Sequence, residues 1–258
     1  MRFENVFFIS YPKSHLSNLI KMPKNTFTFK QFTINQEHCA MKVCTDACIL
    51  GASTTVENVK NILDIGTGTG LLALMLAQKS DAKIDAVEID ESAYNQALGN
   101  VSESKFREKI RIYHQDIRAY SASEKQYDLI ISNPPFYQKS LQSPDNQANK
   151  ALHAVELSLE ELISSVARLL KSDGRFVVLL PPYEVEKLID LARKKALYLS
   201  KKILIQHDES KPVFRIIATF INTQTTDYQE DSLLIHEKNS KDYSEKFTNL
   251  LKDYYIIF

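Results

Sequence analysis

Asn61-Ile62-Leu63-Asp64-Ile65-Gly66-Thr67-Gly68-Thr69-Gly70-Leu71-Leu72 decides the fold: an apolar run passes into alternating glycines and then into a helical pattern. The chain holds only six glycines, and three of them, Gly66, Gly68 and Gly70, fall here. Glycine tolerates positive φ and the close approach of other groups, so this concentration marks backbone that bends sharply around something. A glycine-rich turn between a strand and a helix aims free N–H groups and the positive end of the helix dipole at a ligand. The spacing G-x-G-x-G differs from the dinucleotide pattern G-x-G-x-x-G, which makes a nicotinamide site the lesser alternative. No Lys-Ser/Thr pair follows, which argues against a Walker-type phosphate loop.

Three more strand ends follow. Lys83-Ile84-Asp85-Ala86-Val87-Glu88-Ile89-Asp90 closes on acids placed to accept ribose hydroxyls. Ile110-Arg111-Ile112-Tyr113-His114-Gln115-Asp116 ends on an acid able to accept from an amino group, and Tyr127-Asp128-Leu129-Ile130-Ile131 exits into Asn133-Pro134-Pro135-Phe136. Consecutive prolines remove two N–H donors and fix φ, so neighbouring carbonyls are presented as bare acceptors. Asn133 adds a side-chain acceptor and Phe136 a flat face, an array suited to the NH2 of a stacked planar ring. In open α/β sheets ligands bind outside the carboxyl ends of the strands, so these groups are expected to converge on one crevice. Within it, the loop after the fourth strand should face a ligand lodged over the first.

A chain of 258 residues, 44% hydrophobic and 25% charged, has ordinary globular composition and can bury one sizeable core. No apolar run is long enough to span a bilayer. Formal net charge is zero, so no global positive field attracts nucleic acid and any RNA contact must be local.

This set of motifs resembles the Rossmann-like S-adenosylmethionine-dependent methyltransferases, in the branch whose Asn/Asp-Pro-Pro-Tyr/Phe motif methylates an amino or amide nitrogen. Phe29-Lys30-Gln31-Phe32-Thr33-Ile34, Cys39-Ala40-Met41-Lys42-Val43, Thr45-Asp46-Ala47 and Leu50-Gly51-Ala52 resemble the start of the bacterial tRNA1(Val) adenine-37 N6-methyltransferase family. The similarity runs from about Phe27 to the closing Asp253-Tyr254-Tyr255. It departs at Ala151-Leu152-His153, where the family usually has Ala-Arg-His.

The resemblance implies a seven-stranded, mostly parallel sheet of order 3-2-1-4-5-7-6 with helices on both faces, and a cytoplasmic monomer acting on tRNA without metal or membrane. Asp64, Gly66, Thr67, Gly68, Gly70, Glu88, Asp116 and Asn133 would hold the S-adenosylmethionine, Asp64 bracing the turn, Glu88 binding ribose and Asp116 reading adenine. Asn133 and the Pro134 carbonyl would accept from the target amino group while Pro135 shapes the turn and Phe136 stacks the base. Lys30, Lys42 and Phe136 are the substrate-binding candidates. Two alternatives of the same branch are methylation of rRNA guanine N2 or of a protein glutamine amide; a non-catalytic cofactor-binding RNA scaffold is the alternative of another class.

Two basic patches are candidates for RNA contact. Lys21, Lys24 and Lys30 interleave with Phe27, Phe29 and Phe32, and Arg193, Lys194, Lys195, Lys201 and Lys202 crowd one window. Core packing is the plainer reading of Phe29 and Phe32, and a solvated helix end that of the second patch. Cys39, Cys44 and Cys48 beside His38 form a poor zinc set; helical placement buries Cys44 and Cys48 more simply. An odd cysteine count fits a reducing compartment.

Residues 1–24 are expected to form a tail, with Met22 an alternative start, and 25–258 a single domain whose segment 25–58 covers cofactor and substrate. Apolar spacing predicts helices over 158–170, 184–197 and 244–255, the first stopped by Asp173-Gly174, and strands over 175–180, 199–206 and 213–221, the last two a hairpin. The polar stretch 138–149 is expected to be a lid.

Overall fold

The computed structural model describes residues 25–37, 42–121, 126–135 and 157–258. Thr26–Thr28 (β1) and Thr33–Asn35 (β2) pair antiparallel, and Thr45–Ser53 (α1) follows. An alternating series begins with Asn61–Ile65 (β3), Leu71–Lys79 (α2), Lys83–Glu88 (β4) and Glu91–Ser102 (α3). Ile110–His114 (β5) and Tyr127–Ser132 (β6) continue it. Then come Leu159–Leu169 (α4), Leu170–Leu180 (β7) and Pro182–Arg193 (α5). Tyr198–Gln206 (β8), Arg215–Ile221 (β9), Gln229–Leu234 (β10) and Glu245–Leu251 (α6) complete the chain.

Strands β3 to β10 form one sheet of eight in the order β10-β8-β9-β7-β6-β3-β4-β5, in which β9 alone runs against its neighbours. The expected count of seven is thus corrected. The added strand, β10, lies parallel to β8 at the outer edge, and Gln229, Glu230, Asp231 and Ser232 are all exposed. No hydrophobic alternation marks such a strand, and its charges discourage a further chain from pairing there.

Elsewhere the period of two is plain. Ile62, Leu129, Ile131, Val177 and Leu179 point into one core beneath α1, α2 and α6, while Leu63, Ile65, Ile130, Phe176, Val178 and Leu180 point into the other beneath α4 and α5. Such strands are buried on both faces, as a parallel sheet requires. The Asp128 carboxylate accepts from the Lys60 and Asn61 N–H groups at 2.9 and 2.7 Å, tying the start of β6 to that of β3.

Asp173-Gly174 does not end a helix. Ser158 and Glu161 form a reciprocal capping box on α4, which stops at Leu169. Leu170 then pairs with Tyr127, and pairing resumes at Arg175 with Leu129, so the residues between bulge out of β7. A Cβ on Gly174 would meet the Tyr127 carbonyl at 2.8 Å, which is why glycine occupies the bulge. Helix α5 starts before the expected Glu184 because Pro182 fits the first helical turn, where no N–H is needed.

The β1–β2 hairpin is sewn to the C-terminal segment. Phe29 bridges to Tyr255, and the Lys30 N–H donates to the Tyr254 carbonyl at 2.8 Å. Phe27, Phe29, Phe32, Phe247 and Tyr255 pack edge and face into one aromatic cluster.

Candidate active site

Gly66, Gly68 and Gly70 adopt φ of +69°, +58° and +81°, so all three sit in the left-handed region that side chains disfavour. The turn is braced from both sides. The Gly66 and Thr67 N–H groups donate to the Val87 carbonyl at 2.9 and 3.2 Å, and the Thr67 hydroxyl donates to Asp64 Oδ2 at 2.6 Å. Gly70 caps α2 without a side-chain hydrogen bond, and of the N–H groups in the first turn that of Ala73 is turned to Asp64. A Cβ on Gly66 or Gly68 would meet nothing within 4 Å, so the bare backbone borders open space that a ligand can enter.

Asp64 is fully buried, and burial pushes its carboxyl up to about 7; the Thr67 hydroxyl pulls it down, the Glu88 charge adds to the rise, and the Ala73 N–H opposes it. Its Oδ1 has no hydrogen-bond partner among the described residues. Glu88, at the end of β4, accepts from the Gly68 N–H at 2.9 Å through Oε2 and from the Ile89 and Asp90 N–H groups at 2.9 and 3.0 Å through Oε1. The carboxylate thus couples the glycine turn to the next strand end and keeps acceptor capacity for a hydroxyl. Asp116 lies in the turn after β5, where the Arg118 guanidinium holds it below the usual carboxylate range, with contacts of 2.6 to 3.0 Å.

Asn133 leaves β6 beside β3: Ser132 is the register partner of Ile65, and the Ser132 hydroxyl donates to the Ile65 carbonyl at 2.9 Å. Adjacent strands lie about 4.8 Å apart, so Asn133 and the glycine turn share one sheet edge. The amide Oδ1 of Asn133 is buried and has no partner among the described residues. Pro134 is buried and Pro135 exposed, while Phe136, the 138–149 stretch, Ala151-Leu152-His153 and residues 1–24 lie outside the described residues.

Two residues at this edge escaped the sequence reading. Ile89, immediately after Glu88, is 42% exposed, an apolar face beside the acid. Tyr183 is 70% exposed at the start of α5, directly beyond β7, with Lys187 Nζ 4.1 Å from its ring centroid. Their positions after strand ends were visible; their exposure was not.

The basic patches change meaning. Lys30 Nζ donates to the Lys252 and Phe258 main-chain oxygens at 2.6 and 2.8 Å, so this substrate-binding candidate is instead a tether between chain segments. Phe29 and Phe32 are core. Lys202 is buried against Glu186 at 2.8 Å; Arg193 ends α5 at the opposite end of the strands from Asn133, whereas Lys201 and Lys202 stand level with Ile131 and Ser132, three strands away. Lys42 is exposed just before α1. Cys48 is buried and its thiol is pushed up to about 12; among the described residues no cluster of His, Cys, Asp or Glu could hold a metal. No described helix is long and apolar enough to cross a membrane.

A family model, the methyltransferase small domain, matches residues 45–191. The chain is similar in fold to a predicted O-methyltransferase from Agrobacterium tumefaciens, with a TM-score of 0.64 at 16% identity over 81% of this chain and 96% of that one. Fold and family model together define a class I S-adenosylmethionine-dependent methyltransferase. The sequence narrows this. It is 44% identical to the tRNA1(Val) (adenine(37)-N6)-methyltransferase of Dyadobacter fermentans over 92% of this chain and all (100%) of that protein. It is 41% identical to the protein of the same name from Bacteroides fragilis over 91% and 99%. The chain belongs to the tRNA1(Val) (adenine(37)-N6)-methyltransferase family.

Proposed function

We propose that the protein methylates N6 of adenine 37 in tRNA1(Val), acting as a cytoplasmic monomer. The observation that carries the chemistry is the amide oxygen of Asn133, held without a donor at the edge it shares with the glycine turn. An unpaired buried acceptor costs about 1–3 kcal/mol, which an incoming amino group offsets.

The residues fit the cofactor. Bare backbone at Gly66 and Gly68 borders room for its amino-acid end, Glu88 can take ribose, and exposed Ile89 can lie against the purine. Asp116 is assigned to the purine amino group through acceptor capacity that Arg118 leaves over. The segment 25–58 serves as cover: the Asn35 N–H donates to Asn100 Oδ1 at 2.8 Å, and Asn100 Nδ2 donates to the Thr69 carbonyl at 2.9 Å, placing β2 beside the turn. Bound there, the sulfonium supplies an electrophilic methyl group.

The protein's part is alignment. Adenine N6 is a poor nucleophile because its lone pair is delocalised into the ring. Asn133 Oδ1 and the Pro134 carbonyl accept its two N–H bonds, favour a pyramidal nitrogen and bind more tightly as positive charge grows there. No base is needed before transfer. Phe136 is assigned to hold the extruded ring, and Lys42 to the RNA side.

Tyr183 extends this surface: an exposed ring with a cation over it suits a stacked base and its phosphate. Tyr183→Ala should raise KM for tRNA roughly tenfold, since one base stack is worth about 1–3 kcal/mol, with kcat and cofactor affinity within twofold. An unchanged KM would remove Tyr183 from the interface. Gly68→Ala should raise the S-adenosylmethionine Kd about tenfold by calorimetry, because the left-handed φ costs an alanine roughly 1–2 kcal/mol and the methyl enters ligand space. Native affinity in that variant would place the cofactor elsewhere.

The deciding experiment incubates the protein with labelled S-adenosylmethionine and separate pools of tRNA, ribosomal subunits and release factor. Label in tRNA alone, as N6-methyladenosine, is expected. Label in rRNA guanine or protein glutamine would replace this reading by one of its rivals.

A further inference from the structure

We infer that a cavity beneath Arg175 and Lys201, over the outer strands β7 to β10, binds the dianion of a phosphate monoester or of inorganic phosphate. Val177 of β7, Thr219 of β9, Lys201 of β8 and Gln229 of β10 stand in one row across four strands. Helix α1 ends at Ser53, and Thr54 and Thr55 run on beside that row, leaving about 290 Å³ between helix end and sheet. A bulge at Ser200 shifts the register next to Lys201, and bulges re-aim side chains at binding sites.

The lining has the chemistry of an oxyanion site. The Arg175 guanidinium donates once, from Nη2 to the Thr55 carbonyl at 2.7 Å, while its buried Nε has no acceptor among the described residues. Burial pulls this guanidinium below its ordinary pKa, a cost that an anion offsets. Of the nearby acids, Asp128 is held by Lys171 at 2.5 Å, Asp231 by Lys246 at 2.5 Å and Glu186 by Lys202 at 2.8 Å, while Glu57 lies beyond ion-pair distance of Arg175 and adds negative charge on that side. Among the described residues neither Arg175 nor Lys201 has a carboxylate within ion-pair distance. The Thr55 and Thr219 side chains add hydroxyls, and Val177 and Ile217 give an apolar floor.

Two cations with no carboxylate in direct contact among the described residues match a dianion. A phosphate monoester carries two charges above its second pKa of about 6, whereas each RNA backbone phosphate carries one, so charge complementarity favours the monoester. Val177 in this row pairs with Ile131, two residues before Asn133, and Lys201 stands three strands across from β6, about 14 Å away, so the cavity is set off from the transfer site across the sheet and not along it.

Thermal unfolding of the full chain tests this, in inorganic phosphate against chloride at matched ionic strength. At pH 7.5 phosphate should raise the midpoint by at least about 3 °C, and at pH 5.5, where the monoanion dominates, by less than half as much. Lys201→Met should remove the shift while methyl transfer continues at the wild-type rate, and Arg175→Lys should reduce it. Equal midpoints in phosphate and chloride, or an undiminished shift in both variants, would overturn the assignment. So would phosphate raising KM for tRNA in the wild type but not in Lys201→Met, which would make this an RNA-backbone contact.

Discussion

Asn133→Ala is expected to lower kcat for methyl transfer by about 10²- to 10³-fold, the usual cost of losing one preorganised group aimed at developing charge, while S-adenosylmethionine affinity stays within twofold. The alanine removes the orphaned Oδ1 but leaves β6 intact, because Ser132 still bonds the Ile65 carbonyl and keeps its register. Only the acceptor for the substrate amino group goes. Asn133→Asp, which keeps an acceptor in place, should recover part of the rate. Single-turnover transfer to tRNA, with cofactor binding measured by equilibrium dialysis, separates the two effects. Activity in Asn133→Ala within threefold of wild type would remove the clamp from the mechanism.

The backbone geometry at this end of the sheet was legible because its signals are local. Three glycines in one turn announce positive φ, and Pro-Pro after an apolar run announces bare carbonyls; neither statement needs a partner strand. What failed needed tertiary information. Lys201 and Lys202 are neighbours in sequence but face opposite sides of a strand, one toward the cavity and one against Glu186. Helix α5 carries Arg193 back to the far end of the strands, and β8 brings Lys201 and Lys202 forward again to the rows of Ile131 and Ser132, so a patch that is compact in sequence is spread along the sheet, three strands from Asn133. Lys30 reads as a free cation until Lys252 and Phe258 fold onto it. Gly174 gives the signal of a helix stop, yet its lack of a Cβ serves the contact with the Tyr127 carbonyl across a bulge. Strand β10 offered no signal, since an exposed edge needs no apolar residues.

Asp64→Asn should separate stability from ligand binding in opposite directions. Burial lifts the Asp64 carboxyl from 3.8 to about 7 in the folded chain. A folded-state value above the unfolded one means that the native protein holds the proton more tightly. The associated stability is complete below about pH 4 and is lost as pH rises through 7, a loss on the order of 4 kcal/mol. Asparagine is neutral throughout, so the cofactor-free variant should match wild type near pH 4 and melt several degrees higher at pH 8. S-adenosylmethionine carries a net positive charge and reverses this preference by favouring the carboxylate. Wild-type affinity should therefore rise between pH 6 and pH 8, and the affinity of Asp64→Asn should stay flat and fall about tenfold below wild type at pH 8, an ion-pair contribution of roughly 1–2 kcal/mol at this buried position. Thermal melts and calorimetric titrations of both proteins across that range provide the check. Parallel stability curves would show that Asp64 is ionised at neutral pH in the free protein, and parallel affinity curves that its charge does not reach the ligand.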